Sequence, residues 1–230
     1  MTTFGKEEVT CRVCGARSTR HVLNSTNTFG SRDLDLRPPP MMRETMDAWV
    51  QCCSDCGLCA PRLDTVPSGA KDVVRTTEYQ AVLQDPRFPR LANQFRAQSF
   101  LEERSGDISA AASCALHAAW VCDDAGSIEL AVECRNHAIA LFSQAATSKA
   151  LSKGYASKQG SQTDASNLLL ADLCRRANRL DEARARCQPV LESTEKTMRA
   201  VARFQLALME KGDTAAYTIA EAVKAAPEAT

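Results

Sequence analysis

The sequence predicts a mainly α protein: a small N-terminal β head built on cysteine turns, followed by a solenoid of α-helical hairpins. Three observations predict it. Two C-x-x-C-G motifs, Cys11-Arg-Val-Cys14-Gly15 and Cys53-Ser-Asp-Cys56-Gly57, stand near the front of the 230-residue chain. From about residue 71 the sequence turns alanine-rich, with apolar residues at helical spacing. The same stop-and-restart signal then recurs at Ser105-Gly-Asp, Asp124-Ala-Gly-Ser, Ala177-Asn-Arg and Lys211-Gly-Asp.

The head comes first. A C-x-x-C-G turn brings two thiolates to one side of a tight bend, and its glycine takes a backbone conformation that other residues resist. Two such turns supply four soft ligands, the donor set of a closed tetrahedral zinc site. The expected ligands of Zn2+ are Cys11, Cys14, Cys53 and Cys56, so the head reads as zinc-ribbon-like. The second turn offers overlapping pairs from Cys52, Cys53, Cys56 and Cys59; Gly57 directly follows Cys56, which selects 53 and 56. Val9 to Cys11 and Ala48 to Cys52 read as short strands feeding the turns, and Arg17 to Asn24 as the returning arm of the first hairpin. A short helix is expected from Met41 to Asp47, directly after Pro40. Pro61 and Pro67-Ser-Gly mark a boundary, giving a head over 1–65, a linker and first helix over 66–90, and a helical repeat domain over 91–228.

Candidate helices follow at 71–83, 88–104, 108–123, 127–147, 165–177, 181–192, 196–210 and 214–225. The polar stretch 148–164 reads as a loop or frayed linker. The clearest repeat runs from Asn167 to about Glu192 and resembles the tetratricopeptide pattern, with the small residue of its first helix at Ala171 and the alanine of its second at Ala183. Fainter copies contain Gly106-Asp-Ile-Ser-Ala-Ala111 and Gly212-Asp-Thr-Ala-Ala216 with Pro227. The C-x-x-C-G motif, the Phe29-Gly-Ser…Asp33-x-Asp35-x-Arg37-Pro38 segment, and Trp49-Val50-x-x-Cys53-x-x-Cys56-Gly57 ahead of a helical tail together resemble a bacterial family described as a domain of unknown function. That resemblance implies a zinc ribbon ahead of tetratricopeptide-like helices, with ligand roles at Cys11, Cys14, Cys53 and Cys56. It implies no activity.

Composition narrows the function. A formal net charge of zero argues against a generic polyanion binder, because nucleic-acid affinity rests largely on phosphate neutralisation. Residues 1–8 have no apolar run, so no export signal is expected; Ala110 to Cys122 is too short to cross a bilayer. Eleven cysteines without an export signal read as ligands and buried thiols in a reducing compartment, the cytoplasm.

Each remaining feature has a plainer reading. Asp33, Asp35 and Arg37 would share a face in a strand, but turn capping or pairing with Arg32, Arg37 or Arg43 is favoured. Pro38-Pro39-Pro40 stiffens the entry to the short helix. Cys114-x-x-His117 and Cys134-x-x-His137 have metal-ligand spacing on adjacent helices, yet core thiols and rim imidazoles are the favoured outcome. Trp49 is expected to pack over the zinc hairpin and Trp120 between helices. Arg175, Arg176, Arg179, Arg184 and Arg186 interleave with acids and read as a solvated mixed-charge face. No nucleophile–base, phosphate-loop or dinucleotide motif is present, and three histidines leave little material for acid–base catalysis. The expected function is a non-enzymatic zinc-binding adaptor whose helical groove holds a partner peptide or helix. One alternative is a nucleic-acid-associated factor, supported by Arg12, Arg17, Arg20 and Arg32. The other is a thiol redox sensor using Cys52 and Cys59, for which no neighbouring group in the sequence would plainly lower a thiol pKa.

Overall fold

The computed structural model describes residues 2–152 and 159–226. It is mainly helical, with a small two-stranded antiparallel sheet near the N-terminus. The chain divides into two units: Met1–Thr28 with Pro40–Ala145, and Phe29–Pro39 with Ala146–Thr230.

The first unit opens on a hairpin, β1 (Thr3–Thr10) and β2 (Arg17–Ser25), in the register Val9↔Ser18 and Glu7↔Arg20. Of its strand residues only Val9 is buried. A two-stranded ribbon with so little buried surface is marginal by itself, and its turn is the first cysteine knuckle. The expected helix at Met41–Asp47 is two pieces, α1 (Pro40–Arg43) and a 3-10 turn at Met46–Ala48. The strands β3 (Gln51–Cys52) and β4 (Cys59–Ala60) are two residues each and flank the second knuckle.

Next come α2 (Ala70–Val74) and α3 (Thr77–Leu83). The sequence predicted one helix there. It breaks because Thr76 is extended and its hydroxyl caps α3 by accepting the Tyr79 N–H. α4 (Arg90–Ser105) and α5 (Ile108–Asp124) stop where the Gly-Asp and Gly-Ser punctuation predicts, and α6 (Ile128–Ser152) starts directly after it. α4 packs closely on α5, with Ala92, Phe95 and Leu101 of α4 and Ala111, Ala115 and Ala118 of α5 all buried; the Ser99 hydroxyl donates to the Ala111 carbonyl at 2.8 Å. Small residues at the crossing allow that approach.

The second unit holds α7 (Gln159–Arg176), α8 (Leu180–Cys187), a 3-10 turn at Gln188–Glu192 that contains Pro189, α9 (Lys196–Glu210) and α10 (Ile219–Ala225). The stretch 148–164, expected as a loop, is helical through Ser152 and again from Gln159; residues 153–158 and Pro227 lie outside the described residues. The last helix starts five residues later than predicted, at Ile219. The carbonyls of Asp213 and Ala215 are taken by the buried Arg175 guanidinium at 2.6 and 2.9 Å, and Thr218 with Glu221 forms a capping box.

Phe29–Pro39 belongs to this second unit. It pairs Asp33 with Thr218, and the Leu34 and Ile219 N–H groups donate to the Tyr217 and Arg32 carbonyls at 2.8 and 2.9 Å. Asp33, Asp35 and Arg37 are all buried, in a turn rather than a strand. Asp35 accepts the Arg37 N–H, as capping predicts, and forms an ion pair with Arg176 of α7 at 2.7 Å. Arg175 pairs with Asp172 at 2.6 Å. The arginine cluster is therefore only partly a solvated face: Arg179–Glu182 and Arg184–Asp181 lie outside, while Arg175 is fully buried.

Candidate metal centre

Both knuckles have the same backbone wiring. Cys11 N–H donates to the Ala16 carbonyl and Gly15 N–H to the Cys11 carbonyl, both at 2.8 Å. Cys53 N–H donates to Leu58 at 2.8 Å and Gly57 N–H to Cys53 at 3.0 Å. Each turn closes through a glycine in the left-handed region, φ +78° at Gly15 and +77° at Gly57. A Cβ on Gly57 would also lie 2.7 Å from the Leu83 side chain, whereas Gly15 faces open space.

The turns face one another. Cys11 Sγ lies 3.7 Å from Cys56 Sγ, and Cys14 Sγ lies 3.6 Å from Cys53 Sγ. One ligand atom from each of the four fits within 4.8 Å of every other, and this is the one such cluster of three or more potential ligands among the described residues. Tetrahedral sulfurs at a Zn–S distance of about 2.3 Å are about 3.8 Å apart along each edge, so these two spacings match the edges of a tetrahedral site. The four cysteines can hold a metal ion. Cys11 and Cys53 are buried while Cys14 is exposed, so the site sits at the surface with one side closed.

With only thiols in so small a volume, ionisation is uneven. Burial holds the Cys56 and Cys11 thiols above their ordinary value. Burial pushes Cys53 the same way, but the N–H groups of Cys56 and Asp55 and the thiols of Cys14 and Cys11 outweigh it and hold Cys53 low. A divalent cation supplies the positive charge that lets all four ionise together.

A supporting shell surrounds the second knuckle, and sequence reading missed it. The Tyr79 hydroxyl of α3, fully buried, accepts the Cys59 N–H at 2.9 Å and donates to the Gly57 carbonyl at 3.0 Å. Gln80 Nε2 donates to the Cys56 carbonyl at 3.3 Å and the Val74 carbonyl at 2.8 Å. Arg20 of β2 donates to the Cys52 carbonyl at 2.7 Å, and Arg12 N–H to the Leu63 carbonyl at 2.8 Å, joining the two knuckles. The only local clue was the polar pair Tyr79-Gln80 on an otherwise ordinary helix.

Cys52 and Cys59 take no part in the four-sulfur cluster. The expectation that nothing nearby depresses a thiol does not hold for Cys52. A hydrogen bond from Cys59 lowers its pKa against the effect of burial, helped by the charges of Arg20 and Arg90.

The Cys/His set on α5 and α6 does not assemble. His117 sits in an aromatic cage, with ring centroids 5.3 Å from Trp49, 5.2 Å from Phe95 and 5.0 Å from Trp120, and burial lowers its pKa to about 4. Trp49 thus packs on His117 of α5 and donates its indole N–H to Thr45 Oγ1 at 2.9 Å. His137 is exposed, 3.4 Å from Glu103. Cys122 and Cys134 are buried, and burial pushes Cys114 up to about 12. These are core thiols.

Comparison with protein-family models, with curated proteins and with solved structures finds no match to the chain. No helix among the described residues is long and apolar enough to cross a membrane.

Proposed function

We propose that the chain is a non-enzymatic, cytoplasmic zinc-binding adaptor. Zinc on Cys11, Cys14, Cys53 and Cys56 fixes the head, and the tetratricopeptide-like helical hairpins hold a peptide or helix from a partner protein. The observation that carries the metal half is the four-sulfur set, with two sulfur–sulfur distances of 3.6 and 3.7 Å. Four thiolates fill a tetrahedral ion and leave no position for water or substrate, so a structural role fits better than a catalytic one. The helical half is supported by short hairpins such as α7–α8 and α9–α10, the kind of unit whose stacking forms a partner groove.

The test is metal content per chain in protein purified without added metal and without a histidine tag. One zinc per chain is expected; a folded protein with none overturns the reading. For the groove, charge reversal at the exposed α9 positions Arg203 and Glu210 should abolish partner capture while leaving the melting temperature unchanged. Capture that survives both changes removes α9 from the binding surface.

A further inference from the structure

Behind the second knuckle, Cys52 and Cys59 stand directly opposite one another on β3 and β4. They form a non-hydrogen-bonded pair. The flanking bond runs from Cys53 N–H to the Leu58 carbonyl, while the Cys59 N–H goes to Tyr79 and the Cys52 carbonyl is held by Arg20. Such pairs bring Cα atoms to about 4.5 Å and point both side chains to one face. That separation lies within the range a disulfide spans, about 4.4–6.8 Å. Both thiols reach the same acceptor, the Gly57 carbonyl, at 3.6 Å from Cys52 and 3.5 Å from Cys59.

Access divides the pair. Cys59 is fully buried, whereas Cys52 is partly exposed and lines an open depression of about 470 Å³ with Gln80, Gln84, Arg90 and Gln94. A small polar oxidant reaches Cys52 and not Cys59. We propose that Cys52 and Cys59 are a peroxide-responsive modification site, with Cys52 attacked first and Cys59 resolving it, and that their disulfide forms while the metal stays on the four-cysteine site. Cys52 sulfur attacks one oxygen of hydrogen peroxide, giving the sulfenic acid and hydroxide. Cys59 sulfur then attacks the Cys52 sulfur and expels the second hydroxide. The two thiol protons neutralise both hydroxides, so two thiols and one peroxide become one disulfide and two waters. The new bond closes a six-residue loop, 53–58, around Cys53 and Cys56 and clamps the ligands where an open pair would leave them free to oxidise.

The inference concerns the thiol pair, and only its metal-retention half rests on the structural-metal reading. The full chain as purified is treated with equimolar hydrogen peroxide, then unfolded in acid with alkylating reagent, and its mass and metal content are read from one sample. Two fewer alkylatable thiols than the eleven of the untreated chain are expected, with no metal released. Cys52→Ser should slow that loss at least tenfold. Cys59→Ser should stop at a Cys52 sulfenic acid trapped by dimedone. If Cys59→Ser does not fold, Cys52→Ser alone decides, since its side chain borders solvent. Thiol loss that persists in Cys52→Ser, or metal release in step with thiol loss in the unaltered chain, overturns the proposal. Metal content of the untreated sample separately decides the structural-metal reading.

Discussion

His117 shows how burial at one position sets a measurable property of the protein. Its imidazole is enclosed by Trp49, Phe95 and Trp120 and has no carboxylate among those ring contacts, so burial alone drives its pKa down to about 4. The unfolded chain binds this proton near the ordinary value of about 6.5, and the folded chain refuses it until about 4. Between those limits the unfolded state holds more protons, so stability falls as pH falls, and the dependence flattens below the folded pKa. The full interval corresponds to at most about 3 kcal/mol. Urea melts of His117→Leu and the unaltered chain, compared from pH 7 to pH 4, should diverge by roughly that amount in favour of the variant at the acid end. Acid effects on the metal site cancel in the difference. Parallel curves would mean that His117 is hydrated or charged in the fold. At this scale the sequence was informative about type and poor about partners: the four clustered cysteines, two on each turn, were legible from spacing, whereas the cage around His117 joins residues from 49 to 120 and no local pattern announces it.

At the scale of elements, helix stops were legible because the punctuation is local: a left-handed residue and the cap that follows it suffice. Two elements resisted. The stretch 148–164 has few large apolar residues and so little periodicity, yet most of it is helical, since Ala, Lys, Gln and Ser tolerate a helix without demanding one. The segment Phe29–Pro39 was read for its own chemistry, while its structure is dictated by Arg176 and Thr218, far along the chain. Asp35 is fully buried against the Arg176 guanidinium. Removing one member of such a pair leaves an uncompensated charge, which typically costs about 3–5 kcal/mol. Asp35→Asn keeps the acceptor for the Arg37 N–H but not the charge, so about 3 kcal/mol of second-unit stability should be lost. Both tryptophans, Trp49 and Trp120, lie in the first unit, which makes the location testable. The helical circular dichroism transition should move to lower urea while the tryptophan fluorescence transition stays in place. A joint shift of both signals would show that the segment supports the whole chain rather than its own unit.

At the scale of the whole molecule, the four-cysteine cluster is tied to residues well beyond the head. The second knuckle is held by Tyr79 and Gln80 of α3, and β4 packs on α4 within one unit. The exposed β1–β2 ribbon buries little apolar surface, so under the proposed structural-zinc reading the metal would be a main term holding this region; structural zinc contributes on the order of 10 kcal/mol in small domains. Stripping it should therefore not stop at residue 65. Without the knuckle, Tyr79 loses both backbone partners at Gly57 and Cys59, and α2 and α3, five and seven residues long, are too short to persist on propensity. α4 and α5 keep their own alanine-rich interface and should remain. Hydrogen exchange of the chain in excess chelator should show protection lost over 2–28 and 40–83, and retained in α4, α5 and α7 to α10. The same pattern should appear without chelator in Cys56→Ser, because three thiolates no longer close the ion. Protection kept across 40–83 in both samples would mean that packing around Tyr79, not metal, fixes the second knuckle.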